Sequence, residues 1–269
     1  MPHRKLHVGD TDDLIFAQST PMHRIQFDQP EHWPDSLHTA LGHARSWSLD
    51  WCEDDSPWSS RYESEIQALL RSVHDCALKG WHCTRLREAE AQSIRDSGMA
   101  VLSESLVNRR IAAALAAGEL SQDVADRLST THRASDPRRQ GQIWFGFSPA
   151  LPDEHATERL FRHWGGEALY WAHEGDPEIA AVLRSIGHPS IIDAWVPISG
   201  LQPLAQEAIL KCLCLVDLHA AGTDVARPFA DVEGYVQKAI PATAILAIDQ
   251  HPSASFVART RCDTWHEPL

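Results

Sequence analysis

The chain has 269 residues, is 43% hydrophobic and 23% charged, and carries a formal net charge of −13 at neutral pH. It contains no run of about 18 apolar residues, so no membrane-spanning helix is predicted. The acidic balance argues against general affinity for nucleic acid or for an anionic membrane surface. The basic N-terminal residues are followed by no apolar run, so we expect no secretory signal.

The six cysteines form no Cys-x-x-Cys pair. A chain of this length buries enough apolar surface to fold without disulfides. We therefore expect reduced thiols in a cytoplasmic protein, with paired disulfides as the less favoured alternative. The sixteen histidines show no metal-binding motif, so no metal site is predicted.

Residues 1–60 are rich in His, Pro, Asp and Trp and contain several turn signals, which predicts an irregular N-terminal wrap or a small subdomain. The main domain is predicted over residues 61–269. It begins with helical spacing of apolar residues over 61–78, followed by a strand over 81–86. Further helices are predicted over 87–97, 105–117 and 122–128, with Gly98 as a helix stop and Ser121 as an N-cap.

The second half of the chain alternates short strands and helices. An extended piece is predicted at 99–102, a polar loop over 131–142, strands over 143–148, 167–172, 190–198 and 242–249, and helices over 157–163 and 177–186. Residues 255–260 are expected to pair with the last strand, and 204–218 is compatible with either a helix or a strand. Helices placed unevenly between short strands are typical of the α+β class.

The strand over 81–86 carries the first polar cluster. Because side chains alternate along a strand, His82 and Thr84 lie on one face and Arg85 on the other. An imidazole and a hydroxyl on one face can each hydrogen-bond a sugar hydroxyl. The alternative is a core-edge His82 that only bonds a backbone carbonyl.

The strand over 143–148 is aromatic. Trp144, Gly146 and Ser148 share one face, and Phe145 lies on the other. Such a strand is ordinarily core, but it can also form the wall of a pocket for a planar ring. Gly146 then permits a ligand to approach the backbone closely.

A carboxylate follows a glycine pair at Glu167, in the segment that also contains Tyr170. A carboxylate at the start of a buried strand is costly unless it is paired or used, and it is well placed to stabilise a developing cation. The alternative is an ion pair with Arg162 or with an arginine of residues 79–139, where ten basic residues outnumber eight acidic ones.

The order of a His-x-Thr strand, an aromatic strand and a later Glu resembles the ADP-ribosyltransferase superfamily. It resembles most closely the diphtheria-toxin and poly(ADP-ribose) polymerase branch with its bacterial DNA- and RNA-modifying relatives. Residues 81–198 are also similar to a family of bacterial proteins with W-H-x-T-R-L, W-F-x-F-S and W-G-G-E-A-L-Y-W segments. The resemblance implies an α+β fold with a split, mainly antiparallel sheet, helical insertions and a cleft that binds NAD.

By this resemblance, His82 and Thr84 contact a ribose, and Trp144 or Phe145 contacts nicotinamide where the branch more often has Tyr. Glu167 is catalytic with His82, and Ser148 and Tyr170 complete the predicted NAD contacts. Arg85, Arg138 or Arg139 is the expected partner of the pyrophosphate, although strand alternation turns Arg85 away from His82.

The implied activity is cleavage of the nicotinamide–ribose bond of NAD and transfer of ADP-ribose to a macromolecular acceptor, a protein or a nucleic acid, by a toxin or defence effector. One alternative is an NAD glycohydrolase, with water as the acceptor. The other is a non-enzymatic member of a defence or toxin–antitoxin module that binds a partner such as an antitoxin. Ten tryptophans suit an interface of that kind.

Overall fold

A computed structural model describes residues 22–53, 60–149, 154–225, 232–267 and 269. These residues form an α+β fold with one six-stranded, mostly antiparallel sheet, as predicted. The strands are β1 (His23–Ile25), β2 (Cys76–Leu86), β3 (Ile143–Gly146), β4 (His188–Pro197), β5 (Glu233–Val236) and β6 (Ile245–Gln250). The helices within this part of the chain are α1 (Asp35–Glu53), α2 (Glu63–Val73), α3 (Glu88–Ser97), α4 (Glu104–Ala116), α5 (Gln122–Thr130), α6 (Glu154–Arg162), α7 (Glu167–His173), α8 (Pro177–Ser185), α9 (Pro203–Ala220) and α10 (Ala254–Thr260).

The strand order is β5-β3-β2-β4-β6, and β1 pairs in parallel with the start of β2. The β2–β4 ladder is continuous, from Ala77 opposite Pro197 to Leu86 opposite His188. By contrast, β2 and β3 are joined by the single pair Trp81–Gly146. The sheet is therefore cohesive on one side of β2 and nearly open on the other.

Helices cover both faces of the sheet. On one face, α1, α2 and α9 place Leu41, Leu69 and Leu213 in one hydrophobic cluster with Leu78 and Val196 of the central strands. On the other face, Phe161 of α6 and Phe256 of α10 pack with Trp81, Cys83 and Ile191. Burial on both faces explains why β2 carries apolar side chains on each of them, such as Leu78 on one face and Trp81 on the other.

A second hydrophobic cluster lies beside the sheet. The chain leaves β2, forms α3, α4 and α5, and returns as β3. Ile111 of α4 and Leu128 of α5 pack there against Trp164, Leu169 of α7 and Leu183 of α8. This helical layer forms the wall that faces the open side of β2.

Several local predictions are confirmed. Gly98, with φ of 83°, ends α3, and the Ser121 side chain accepts a hydrogen bond from Val124 N at 3.3 Å at the start of α5. The ambiguous segment 204–218 lies within α9. Residues 99–102 form no strand, although Met99 makes an isolated bridge to Ile240.

Other predictions are wrong. Residues 167–172 belong to helix α7 and residues 255–260 to helix α10, although both were predicted as strands. The predicted helix over 61–78 ends at Val73, and β2 starts at Cys76 rather than at residue 81. In residues 168–172 every position is apolar, which leaves the period of this short segment unresolved, so tertiary packing decides its conformation.

The irregular structure predicted for residues 1–60 is wrong over Asp35–Glu53, which is a 19-residue helix. Residues 1–21 and 54–59 lie outside the described residues. The boundary at residue 60 stays a prediction. Among the described helices, none is long and apolar enough to cross a membrane.

Candidate functional site

The opening between β2 and β3 leads into a cavity of about 860 Å³, called the main cavity below. Its walls are β2 and β3, the facing surfaces of α3 and α4, and the segment that leads into α7. Six residues predicted as site residues line it, namely His82, Thr84, Arg139, Trp144, Phe145 and Glu167. Segments that are far apart in the sequence are thus brought to one cleft, of the size typical for small-molecule sites.

His82 bridges the opening where the backbone ladder stops. Its Nδ1 lies 2.8 Å from the carbonyl oxygen of Trp144 on β3. A carbonyl oxygen only accepts, so Nδ1 carries the proton and the neutral ring keeps Nε2 as an acceptor. Burial lowers the pKa of His82. The positive charge of Arg110 lowers it further, and the hydrogen bond to the Trp144 carbonyl partly offsets this by raising it. Both the ligand-binding and the carbonyl-bonded interpretations of His82 are therefore compatible with its position.

Thr84 and Phe145 accompany His82. Thr84 follows on the same face of β2 and is buried. The Phe145 ring lies 6.1 Å from the His82 ring, on the same side of the sheet. Together they form a floor that combines an apolar ring with two groups able to bond sugar hydroxyls.

Trp144 lies on the other face of β3 at the rim of the main cavity. Its side chain is 39% exposed, its ring is 5.0 Å from that of Tyr235, and Nε1 donates to Gln142 Oε1 at 3.0 Å. The position predicted for a close ligand approach, Gly146, is instead covered by protein. A Cβ there would lie 2.2 Å from the Trp81 ring.

Glu167 enters the main cavity from the first turn of α7. Gly165 and Gly166 precede it with φ of 85° and 59°, a conformation that favours glycine. The carboxylate forms an ion pair with Arg139 and accepts a hydrogen bond from Tyr170 Oη at 3.3 Å. Arg139 belongs to the basic region, so the alternative that Glu167 pairs with one of those arginines is confirmed.

Tyr170 is buried and does not line the main cavity. Its hydroxyl donates to the carboxylate of Glu167, which does line it. Arg85 lies on the opposite face of β2, donating from Nε to the Ile186 carbonyl at 2.7 Å and from Nη1 to the Phe161 carbonyl at 3.1 Å. Burial lowers its pKa to about 10. Ser148 lines a separate cavity of about 230 Å³. These three residues are not brought to the main cavity.

The opposite wall carries charged groups that the sequence did not single out. Glu90 of α3 accepts from Arg110 Nε at 2.6 Å and from Trp164 Nε1 at 3.0 Å. Burial alone would raise the pKa of Glu90, but Arg110 holds it below its ordinary value. Arg109 is exposed on the same wall and has no ion pair within the described part of the chain.

Glu233 is a second carboxylate of the main cavity. It opens β5, pairs with Gly146 of β3 across the ladder, and is exposed. Within the residues that the structure describes, no cation pairs with it. Sequence reasoning predicted no element here, because a four-residue strand with one central glycine gives almost no periodic signal.

Comparison of the chain with protein families, with curated proteins and with solved structures finds no match. The residues and geometry of the main cavity are therefore what points to a function.

Proposed function

We propose that the protein is an NAD-dependent ADP-ribosyltransferase that binds NAD in the main cavity. One observation carries the proposal: six of the ten residues predicted as NAD contacts, from separate segments, lie around one cavity at the opening between β2 and β3. An opening of this kind agrees with the split sheet that the resemblance implies.

In the proposed mechanism, Nε2 of neutral His82 accepts a hydrogen bond from a ribose hydroxyl, and Thr84 adds a second polar contact. Phe145 or Trp144 contacts the nicotinamide ring. The glycosidic C–N bond breaks, nicotinamide leaves with the electron pair, and the ribose carbon becomes cationic. The acceptor then attacks that carbon and gives up its proton.

The developing cation needs a carboxylate whose charge is not already neutralised. Before a ligand binds, Glu167 is paired with Arg139, whereas Glu233 has no cationic partner within the described residues and needs no displacement to act. Glu233 shares the Trp144 and Gly146 face of β3, opposite to His82, so the reacting ribose carbon would lie at the opening between the two faces. We assign to Glu233 the role first predicted for Glu167, namely to stabilise the cation and to accept the acceptor's proton.

The rival partner-binding function predicts a surface aromatic patch in place of a cleft. Among the described residues, the large apolar side chains that are exposed are Trp144, Leu204 and Leu246. Only one of them is aromatic, and it lies at the rim of the main cavity. This distribution favours the enzyme. The free thiols of all six cysteines agree with the proposed cytoplasmic location.

Nicotinamide release from NAD tests the proposal. We expect the wild-type protein to release nicotinamide, and Glu233→Gln and His82→Ala to lower kcat about 10²-fold or more, as for the loss of a transition-state contact. Glu88→Gln is the matched control, because Glu88 is exposed and outside the main cavity. Mass analysis of the ADP-ribose product distinguishes transfer to an added protein or nucleic acid from hydrolysis.

Two results would change the conclusion. Release that falls in Glu167→Gln but not in Glu233→Gln would return the carboxylate role to Glu167. A wild-type protein that neither releases nicotinamide nor binds NAD in calorimetry would contradict the proposal and favour the partner-binding alternative.

A further inference from the structure

The ion pair between Arg139 and Glu167 is the most exchangeable charge contact of the main cavity. Both side chains are 24% exposed and both line the cavity. The guanidinium lies over the Trp171 ring, 4.6 Å from its centroid. This stacking fixes the plane of Arg139 and leaves its edge directed at Glu167.

The other cations of the cavity differ from Arg139, because Arg109 is exposed and has no ion pair within the described residues, and Arg87 is paired with Glu119. Arg110 is committed to Glu90 through two nitrogens, and Glu90 has further donors in Trp164 Nε1 and Arg87 N. Removing Arg110 from that network would leave a buried carboxylate without its cation, which is costly. Glu167, in contrast, keeps the Tyr170 hydroxyl as a donor if Arg139 takes another partner.

We infer that Arg139 binds the diphosphate of the ligand and that Glu167 is the counterion that the diphosphate displaces. Arginine binds phosphate oxygens through two parallel N–H bonds, and a diphosphate offers more negative charge than one carboxylate. Since Trp171 already holds the guanidinium plane, the exchange requires movement of the Glu167 side chain only. The inference rests on the proposed function for its choice of ligand.

Loss of a displaced counterion should raise the affinity for the ligand, whereas loss of a carboxylate that contacts the ligand should lower it. While Glu167 is present, it competes with the diphosphate for Arg139. Its replacement by glutamine removes the competing charge and should therefore tighten binding. A cavity carboxylate that is not paired with Arg139 should show a smaller effect, because it repels the diphosphate without competing for that cation.

Calorimetry of inorganic pyrophosphate binding to the full chain, without divalent cations, tests this inference. Arg139→Gln should weaken binding by about tenfold or more, as expected for the loss of charge-assisted hydrogen bonds. Arg138→Gln is the matched control: this neighbour belongs to the same loop, is 92% exposed and does not line the cavity. Glu167→Gln should tighten binding by roughly threefold to tenfold, and Glu88→Gln, which removes the same charge outside the cavity, should not.

Tighter binding by Glu167→Gln cannot result from misfolding. If Arg139→Gln is too unstable to measure, the Glu167→Gln variant alone therefore still tests the inference. Wild-type protein that does not bind pyrophosphate, an Arg139→Gln variant that binds it normally, or a Glu167→Gln variant that binds it no better would each overturn the inference. The proposed function fails on a different observation, the absence of nicotinamide release, so the two failures are distinguishable.

Discussion

At the residue scale, the hydrogen bond between His82 and the Trp144 carbonyl decides what the imidazole can do. It fixes the proton on Nδ1 and leaves Nε2 as the acceptor. Protonation of the ring would convert Nε2 into a donor and place a positive charge beside Arg110, which already lowers the pKa of His82. The site as described therefore operates with the neutral ring.

The pH dependence expected of the proposed nicotinamide release follows from this shift. Burial places the pKa of His82 below its ordinary value of 6.5, so the neutral form should persist at pH values where an ordinary histidine is protonated. We expect kcat/KM to fall on the acidic side with an apparent pKa below 6.5. A pH–rate profile measures it, and an acidic limb above 6.5 would contradict the assignment.

The lowered pKa of His82 also affects stability. A histidine whose charged form is stabilised favours folding at low pH, whereas His82 disfavours folding there. Between the lowered pKa and 6.5, the unfolded chain binds the proton and the folded chain does not. Acidification through this range therefore favours unfolding, and the contribution of His82 to stability is retained above it.

Individual site residues differed in how far they could be predicted. Strand alternation was sufficient to separate His82 and Thr84 from Arg85, because that rule is local. The pairing of Glu167 with Arg139 was foreseen only as an alternative, since it joins a loop to a helix that lies 28 positions later in the chain. Glu233 could not be predicted, because its place in the cavity depends on the pairing of β5 with β3.

At the element scale, α7 shows where periodicity fails. Ala168, Leu169 and Tyr170 are all buried, together with His173 one turn later. Three consecutive apolar residues fit a buried strand as well as a short helix, and the flanking Gly165 and Gly166 only indicate a change of direction. The helix places Glu167 in its first turn, where a negative charge is favourable.

Two glycines with positive φ, each at the end of a helix, should differ in how much stability is lost when alanine replaces them. Gly118 has φ of 74°, where alanine should cost about 1–2 kcal/mol, and Gly98 has φ of 83° with ψ of −169°, a region that is almost confined to glycine. A Cβ at Gly98 would also lie 2.0 Å from the Ile240 carbonyl oxygen, whereas nothing lies within 4 Å at Gly118. We therefore expect Gly98→Ala to reduce the free energy of unfolding clearly more than Gly118→Ala. Equal losses in chemical denaturation would contradict the close packing of α3 against the segment before β6.

At the scale of the whole molecule, the class of fold was predictable and the arrangement of the strands was not. Short strands with helices between them are visible in the sequence as local patterns, which is why the α+β class was correct. The order β5-β3-β2-β4-β6 depends on contacts between residues far apart in the chain, such as Phe145 with Gly234. Local patterns do not specify those contacts.

The helix α1 shows the same limitation. Its sequence contains His, Trp, Ser and Asp at many positions, so its apolar stripe is narrow, yet Leu37, Leu41 and Trp51 are fully buried. Arg45 of this helix also binds Asp217 of α9 through Nε at 2.7 Å. The N-terminal segment therefore contributes to the same core as the central strands.

The contribution of α1 to the core can be measured by comparing alanine substitutions at one buried and one exposed leucine. Leu41 is 1% exposed, so Leu41→Ala should lower the free energy of unfolding by roughly 2–5 kcal/mol through lost burial and cavity formation. Leu204 is 65% exposed at the start of α9, so Leu204→Ala should change it by no more than roughly 0.5 kcal/mol. A small effect of Leu41→Ala would mean that α1 is an appendage and would support the boundary predicted at residue 60.

The single backbone pair between β2 and β3 would make folding and the binding of a ligand in the main cavity interdependent. Where a complete sheet would have a ladder of amide bonds, the two halves meet at Trp81 and Gly146, and the side chains of Trp81 and His82 each add one hydrogen bond to a backbone carbonyl across the seam. A molecule lying in this seam would join the halves, so part of its binding free energy would appear as added resistance to unfolding. Substitutions that widen the seam would lower both the stability of the fold and the affinity for a ligand, so neither could change far without the other.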